Sequence, residues 1–148
     1  MTFHDLPRGW DDGPVTDPSL VADVLDLFVS EQARATGALC LLLCDEADRL
    51  LQPCTVGDLP HDLSVDERRL ALRPFAQALG GSPRRGGILV AVGRDGADLV
   101  TASDIAWREA AESELREWDV RLLGVYVVTP NRCMPVPAPD GYAVAAAG

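Results

Sequence analysis

The stretch from Gly87 to Val128 constrains the fold most. It reads as an apolar strand (87–93), a glycine-containing turn (94–100), a helix opened by Thr101-Ala-Ser-Asp104, and a second apolar strand. Active sites favour the carboxyl ends of such strands, where a turn and a helix N-terminus converge. This turn holds Arg94, Asp95, Gly96 and Asp98 but no His, Cys or Glu. The outline is that of a catalytic frame without the side chains that do chemistry.

The same rules organise the rest of the chain. Residues 1–18 carry Gly9, Asp11, Asp12, Gly13, Pro14 and Pro18, which predicts an irregular lead-in with Trp10 as its anchor. Ser19 is placed to cap a helix whose residues Leu20, Val21, Val24, Leu25, Leu27 and Phe28 follow a 3.6 period, ending near Gly37. Residues 38–44, 45–48 and 49–56 read as strand, polar turn and strand, a hairpin whose first strand is apolar on both faces and therefore central. Ser64 and Glu67 form a capping-box pattern, and Pro74 suggests two short helical pieces ending at Gly80-Gly81. The helix after Thr101 carries Trp107, Ala110, Ala111, Leu115 and Trp118 on one stripe, a core pattern. Glu114 lies among them and must sit at the margin or find a partner. A strand over 120–129, a short one over 133–136 and a Pro/Ala/Gly-rich tail over 138–148 complete the chain. The expected fold is α/β (α+β): one three-layer domain over 19–137, with a mixed sheet of about five strands flanked by helices.

Composition narrows the chemistry. The 148 residues carry a net charge of −10, and residues 1–48 hold ten acidic side chains against two basic ones. Such a balance disfavours nucleic acid and anionic membranes as partners. All 13 basic residues are arginine, so a phosphate-loop lysine, a Schiff-base lysine and a pyridoxal anchor are excluded. Cys40, Cys44, Cys54 and Cys133 lack C-x-x-C spacing and read as reduced, buried thiols, while His4 and His61 read as solvated loop residues. Arg84 and Arg85 read as a solvated pair in a Gly-rich loop. The longest unbroken apolar run, 38–44, is far short of a bilayer span, and the first residues show no secretory pattern, so the expected location is cytoplasmic.

The order of these elements resembles the RadC branch of the JAB/MPN metalloprotease-like family. The similar residues are Cys44-Asp-Glu-Ala-Asp-Arg-Leu-Leu51, the strand and turn Ile88–Gly96 leading to Thr101-Ala-Ser-Asp104, and the strand 119–128. The resemblance covers about residues 20–137 and implies a JAB/cytidine-deaminase-like fold. In that family two histidines and the aspartate bind zinc, and a glutamate before the first strand is the general base. Aligned on Asp104, the histidine positions fall on Ala91 and Gly93, or on Val92 and Arg94 with a turn one residue shorter. The glutamate position falls near Gly37. Substitute ligands from His61, Cys54 or Glu46 would have to converge from unrelated segments.

The reading that follows is a catalytically inactive JAB-like domain, without metal or cofactor, that acts by binding. Its vestigial pocket comprises Gly93, Arg94, Asp95, Gly96, Thr101, Ser103 and Asp104 and would take a protein partner, a peptide end or a small anion. Two alternatives stand beside it: a homodimeric assembly module pairing through strand 120–128 or the helix 19–37, and a metal-independent hydrolase using Asp104 or Glu114 as acid or base.

Overall fold

Apolar side chains on both faces of two seven-residue strands dictate a sheet covered on both sides. In the computed structural model, which describes residues 13–16, 18–60, 62–81 and 86–137, these are β1 (Ala38–Cys44) and β3 (Gly87–Gly93), every residue buried. They pair antiparallel at the centre of a five-stranded mixed sheet. β2 (Leu50–Gly57) closes the hairpin on one side of β1. On the other side β4 (Arg121–Val128) runs parallel to β3, and β5 (Cys133–Pro135) lies antiparallel on β4. The order is β2-β1-β3-β4-β5.

Strand alternation divides the core in two. Leu39, Leu41, Leu43, Ile88, Val90 and Val92 face α3 (Val65–Gly80) and α4 (Ala102–Glu117), where Leu72, Ala76, Trp107, Ala110, Ala111 and Leu115 meet them. Cys40, Leu42, Cys44, Leu89 and Ala91 face α1 (Pro18–Phe28) through Val21, Val24 and Leu25. The chain is thus a single mixed α+β domain with a helical layer on each face of the sheet, as the apolar patterns imply.

Three local expectations are corrected. The helix from Ser19 to Gly37 is two helices, α1 and α2 (Glu31–Thr36), because Ser30 adopts an extended backbone and accepts the Ala33 N–H as the cap of the second. Ser19 is not a cap but falls in the first turn, after Pro18 opens the helix with its fixed φ. Pro74 does not divide α3. It and Leu70, whose carbonyl it leaves without an N–H, are both exposed, on the solvent side of the helix where a lost hydrogen bond is least costly, while Leu72 and Ala76 anchor the helix on either side.

The strand expected to pair two copies, β4, lies inside the sheet, covered by β5 only over Tyr126–Val128. At the opposite edge, β2 carries Pro53, which has no N–H, and the Pro53 carbonyl is taken by the Gln52 side-chain amide (3.1 Å). That arrangement blunts strand addition. Trp10, His4, His61, Arg84, Arg85 and the tail lie outside the described residues.

Candidate functional site

The hairpin register brings the start of β1 beside the end of β3, Ala38 opposite Gly93. Gly93 has no Cβ because one would meet Val29 Cγ1 at 3.1 Å and the Ala33 carbonyl at 3.2 Å, so α2 closes directly on the strand end. The chain then turns into α4. Between these elements lies a cleft of about 70 Å³ lined by Gly37, Leu59, Pro60, Val92, Gly93, Arg94, Asp95, Ser103, Asp104 and Trp107.

Five of the seven residues assigned from sequence therefore share this cleft. Gly96 and Thr101 do not line it: Gly96 turns the loop at φ +94°, and Thr101 is spent as the cap of α4. Thr101 Oγ1 accepts the Asp104 N–H (3.4 Å), and Asp104 Oδ2 accepts the Thr101 N–H (2.8 Å), a reciprocal box that fixes the aspartate at the first turn. The far walls, Leu59 and Pro60 from the loop after β2 and Trp107 from the core stripe of α4, carry no recognisable sequence signal for a site.

Arg94 dominates the chemistry. Its Nε donates to Asp104 Oδ1 (3.0 Å) and its Nη2 to Asp104 Oδ2 (2.8 Å), a bidentate fork on a carboxylate that is 1% exposed. Nη1 also donates to the carbonyls of Asp95 (2.9 Å) and Ala97 (3.0 Å), and Nη2 to that of Leu99 (2.7 Å). All five guanidinium donors are consumed. Hydrogen bonding to Asp104 raises the pKa of Arg94, the sign of a charge stabilised in place. The aspartate already holds two guanidinium bonds and an N–H, so it is poorly disposed to ligate a cation.

Of the other donors in question, Glu46 and Cys54 do not fit a zinc site with Asp104. Glu46 follows β1 at the end remote from Ala38, about 20 Å away at ordinary strand rise. Cys54 stands opposite Leu41 in mid-strand. Among the described residues no three His, Cys, Asp or Glu side chains come together as a metal-binding group. Burial pushes the thiols of Cys40 and Cys133 up to about 11 and that of Cys44 to about 12, with Cys54 also raised. All four stay protonated near neutrality and are poor nucleophiles.

Glu114 is absent from the cleft lining and lies ten residues beyond Asp104 along α4, about 15 Å at helical rise. It is fully buried and clasped by Arg73 (Nε to Oε2, 3.0 Å), Arg69 (Nε to Oε1, 3.1 Å) and Trp118 Nε1 (2.9 Å). Arg73, together with the bonds from Trp118 and Arg69, outweighs desolvation and lowers its pKa. A general acid at neutral pH needs the opposite shift.

A buried cation that sequence reasoning overlooked stands behind the cleft wall. Arg68, 7% exposed, stacks its guanidinium over Trp107, 5.6 Å from the ring centre, and donates from Nη2 to Ser103 Oγ (3.1 Å). The available signal was the i, i+4, i+8 spacing of Arg68 with Leu72 and Ala76, which puts it on the buried face of α3. Compared with known proteins, the chain matches no family model, no curated protein and no solved structure.

Proposed function

We propose that this domain binds rather than cleaves, with the cleft at the α4 N-terminus as its binding site, and that it is a JAB-like frame in which an arginine fork stands where the family holds metal. The observation that carries the reading is the Arg94–Asp104 fork, which commits the aspartate and spends all five guanidinium donors. Supporting it, the positions that the resemblance gives to the base (near Gly37), to both histidines in the shorter-turn register (Val92 and Arg94), to one histidine in the other register (Gly93) and to the aspartate (Asp104) line one cleft, whereas Ala91, the remaining position of that second register, faces the α1 side of the sheet. None of the first four is a carboxylate or an imidazole. The lining offers Leu59, Pro60, Val92 and Trp107 as apolar walls and Ser103 as a polar group, a composition suited to holding a small ligand or a short side chain.

The test is elemental analysis of protein purified without chelator, alongside peptidase assays of the wild type and Asp104→Asn, which retains an oxygen for the cap. The expected result is zinc far below stoichiometric and no hydrolysis in either protein. Stoichiometric zinc, with hydrolysis abolished by Asp104→Asn, overturns the reading.

A further inference from the structure

We infer that the cleft takes a small aliphatic carboxylate, with Arg68 supplying the charge that recognises it and Ser103 the hydrogen bond. The inference rests on the reading of the cleft as a binding site and names its ligand class.

Two arginines flank the cleft, and they differ in what they leave over. Arg94 forms a neutral fork with Asp104. Arg68 is nearly as inaccessible as Asp104, yet no carboxylate pairs with it among the described residues. Its Nη1 donates to the Leu63 carbonyl, its Nη2 to Ser103 Oγ, and its Nε is buried and meets no acceptor among the described residues. Glu67, the preceding residue, interacts with it electrostatically but is engaged in the cap of α3 and makes no ion pair with it, so the buried guanidinium is only partly compensated, and an unsatisfied N–H adds to the cost. An anion bound in the cleft would relieve it.

The route is through the two residues Arg68 touches, since Ser103 and Trp107 both line the cleft. Because Ser103 Oγ accepts from Arg68, its own proton is left to donate elsewhere. Ser103 is also the second residue of the 16-residue helix α4, where the helix dipole favours negative charge. Asp104, the nearest acid on that turn, is already neutralised by Arg94, and Asp95 lies exposed at the mouth, where water screens it. The apolar walls suit a short aliphatic body seated in a cleft of about 70 Å³ that opens to solvent. A carboxylate on such a body comes either from a free acid or from the end of a peptide, and the chemistry is the same.

The experiment follows backbone amide and arginine Nε–H resonances while the full chain is titrated with butyrate, with butyramide and with N-acetylalanine. Butyrate is expected to shift Ser103, Gly93 and the Arg68 Nε–H, and butyramide to bind at least about tenfold more weakly, the effect of one charge-assisted hydrogen bond. Tighter binding of N-acetylalanine than of butyrate assigns the carboxylate to a peptide end, and the reverse assigns it to a free acid. Arg68→Met should erase the preference for acid over amide. Equal binding of butyrate and butyramide overturns carboxylate recognition while leaving the cleft a binding site. Absence of shifts with either, or a preference that survives Arg68→Met, also overturns it. Zinc content tests the non-catalytic reading independently.

Discussion

The seam between α3 and α4 is closed by arginines at both ends, and the two ends are electrostatic opposites. Toward the C-terminal half of α4, the buried carboxylate of Glu114 receives Arg69, Arg73 and the Trp118 indole, and Arg69 reaches on to Glu117. At the first turn of α4, the buried guanidinium of Arg68 meets a hydroxyl, a carbonyl and an aromatic face, with no bonded carboxylate among the described residues. The helices are the same, yet the buried carboxylate at one end is saturated and the buried guanidinium at the other is not. A saturated cluster holds structure, because removing a member strands the rest. An unsaturated buried charge weighs on the free protein and is relieved when a partner arrives.

The comparison breaks most visibly at Glu114. Glu114→Gln removes the charge that both guanidiniums answer while keeping the shape and an oxygen for Trp118. Arg69 and Arg73 are partly exposed, 28% and 39%, so they recover some hydration, and the loss is expected near the lower limit for a broken buried pair, about 3 kcal/mol. Urea unfolding measures it. A loss below about 1 kcal/mol, the level of an exposed ion pair, would show the clasp to be ornamental and remove one side of the contrast.

Sequence reasoning reached one of these ends and passed over the other. Glu114 stood out because a carboxylate in the stripe of Trp107, Ala110, Ala111 and Leu115 demands a partner, though nothing local said which. Strands β1 and β3 and the two capping boxes, Ser64 with Glu67 and Thr101 with Asp104, were legible because a few neighbouring residues determine them. The break at Ser30 and the continuity of α3 through Pro74 were not, since an alternative cap and solvent access to one carbonyl decide those cases. Arg68 escaped notice because a charged residue beside a second arginine reads as a solvated face. Only the packing of α3 on Trp107 buries it. The site followed the same division: most of the residues around the turn were found, and Leu59 and Pro60, brought in by β-hairpin closure, were missed.

Acid offers a second way to probe the saturated end, through the carboxylate at its centre. The pKa of Glu114 is lowered in the folded protein, so the folded state binds this proton less readily than the unfolded chain. The stability it contributes is complete above the ordinary carboxylate range and is lost as pH falls through the lowered folded value. The difference in urea midpoint between wild type and Glu114→Gln should therefore be widest near pH 7 and shrink toward about pH 3. Asp45 and Glu67, whose pKa values are also lowered, are common to both proteins and cancel in the difference. A gap that stays constant to about pH 3 would mean that the ionised carboxylate is not what holds the clasp.

The smallest expected effect is the most discriminating. Arg68→Met deletes two hydrogen bonds and the stacking on Trp107, together worth about 1 to 3 kcal/mol, but it also returns the desolvation cost of a buried, unpaired charge and replaces the stem with a flexible apolar chain. These contributions oppose each other, so the urea midpoint should stay within about 1 kcal/mol of wild type. If the variant instead loses as much as Glu114→Gln, Arg68 is a structural member of the seam, the two ends are alike, and the argument that this guanidinium awaits an anion loses its ground. Near-neutral stability combined with a lost preference for carboxylate over amide is the pattern that only a ligand-facing charge produces.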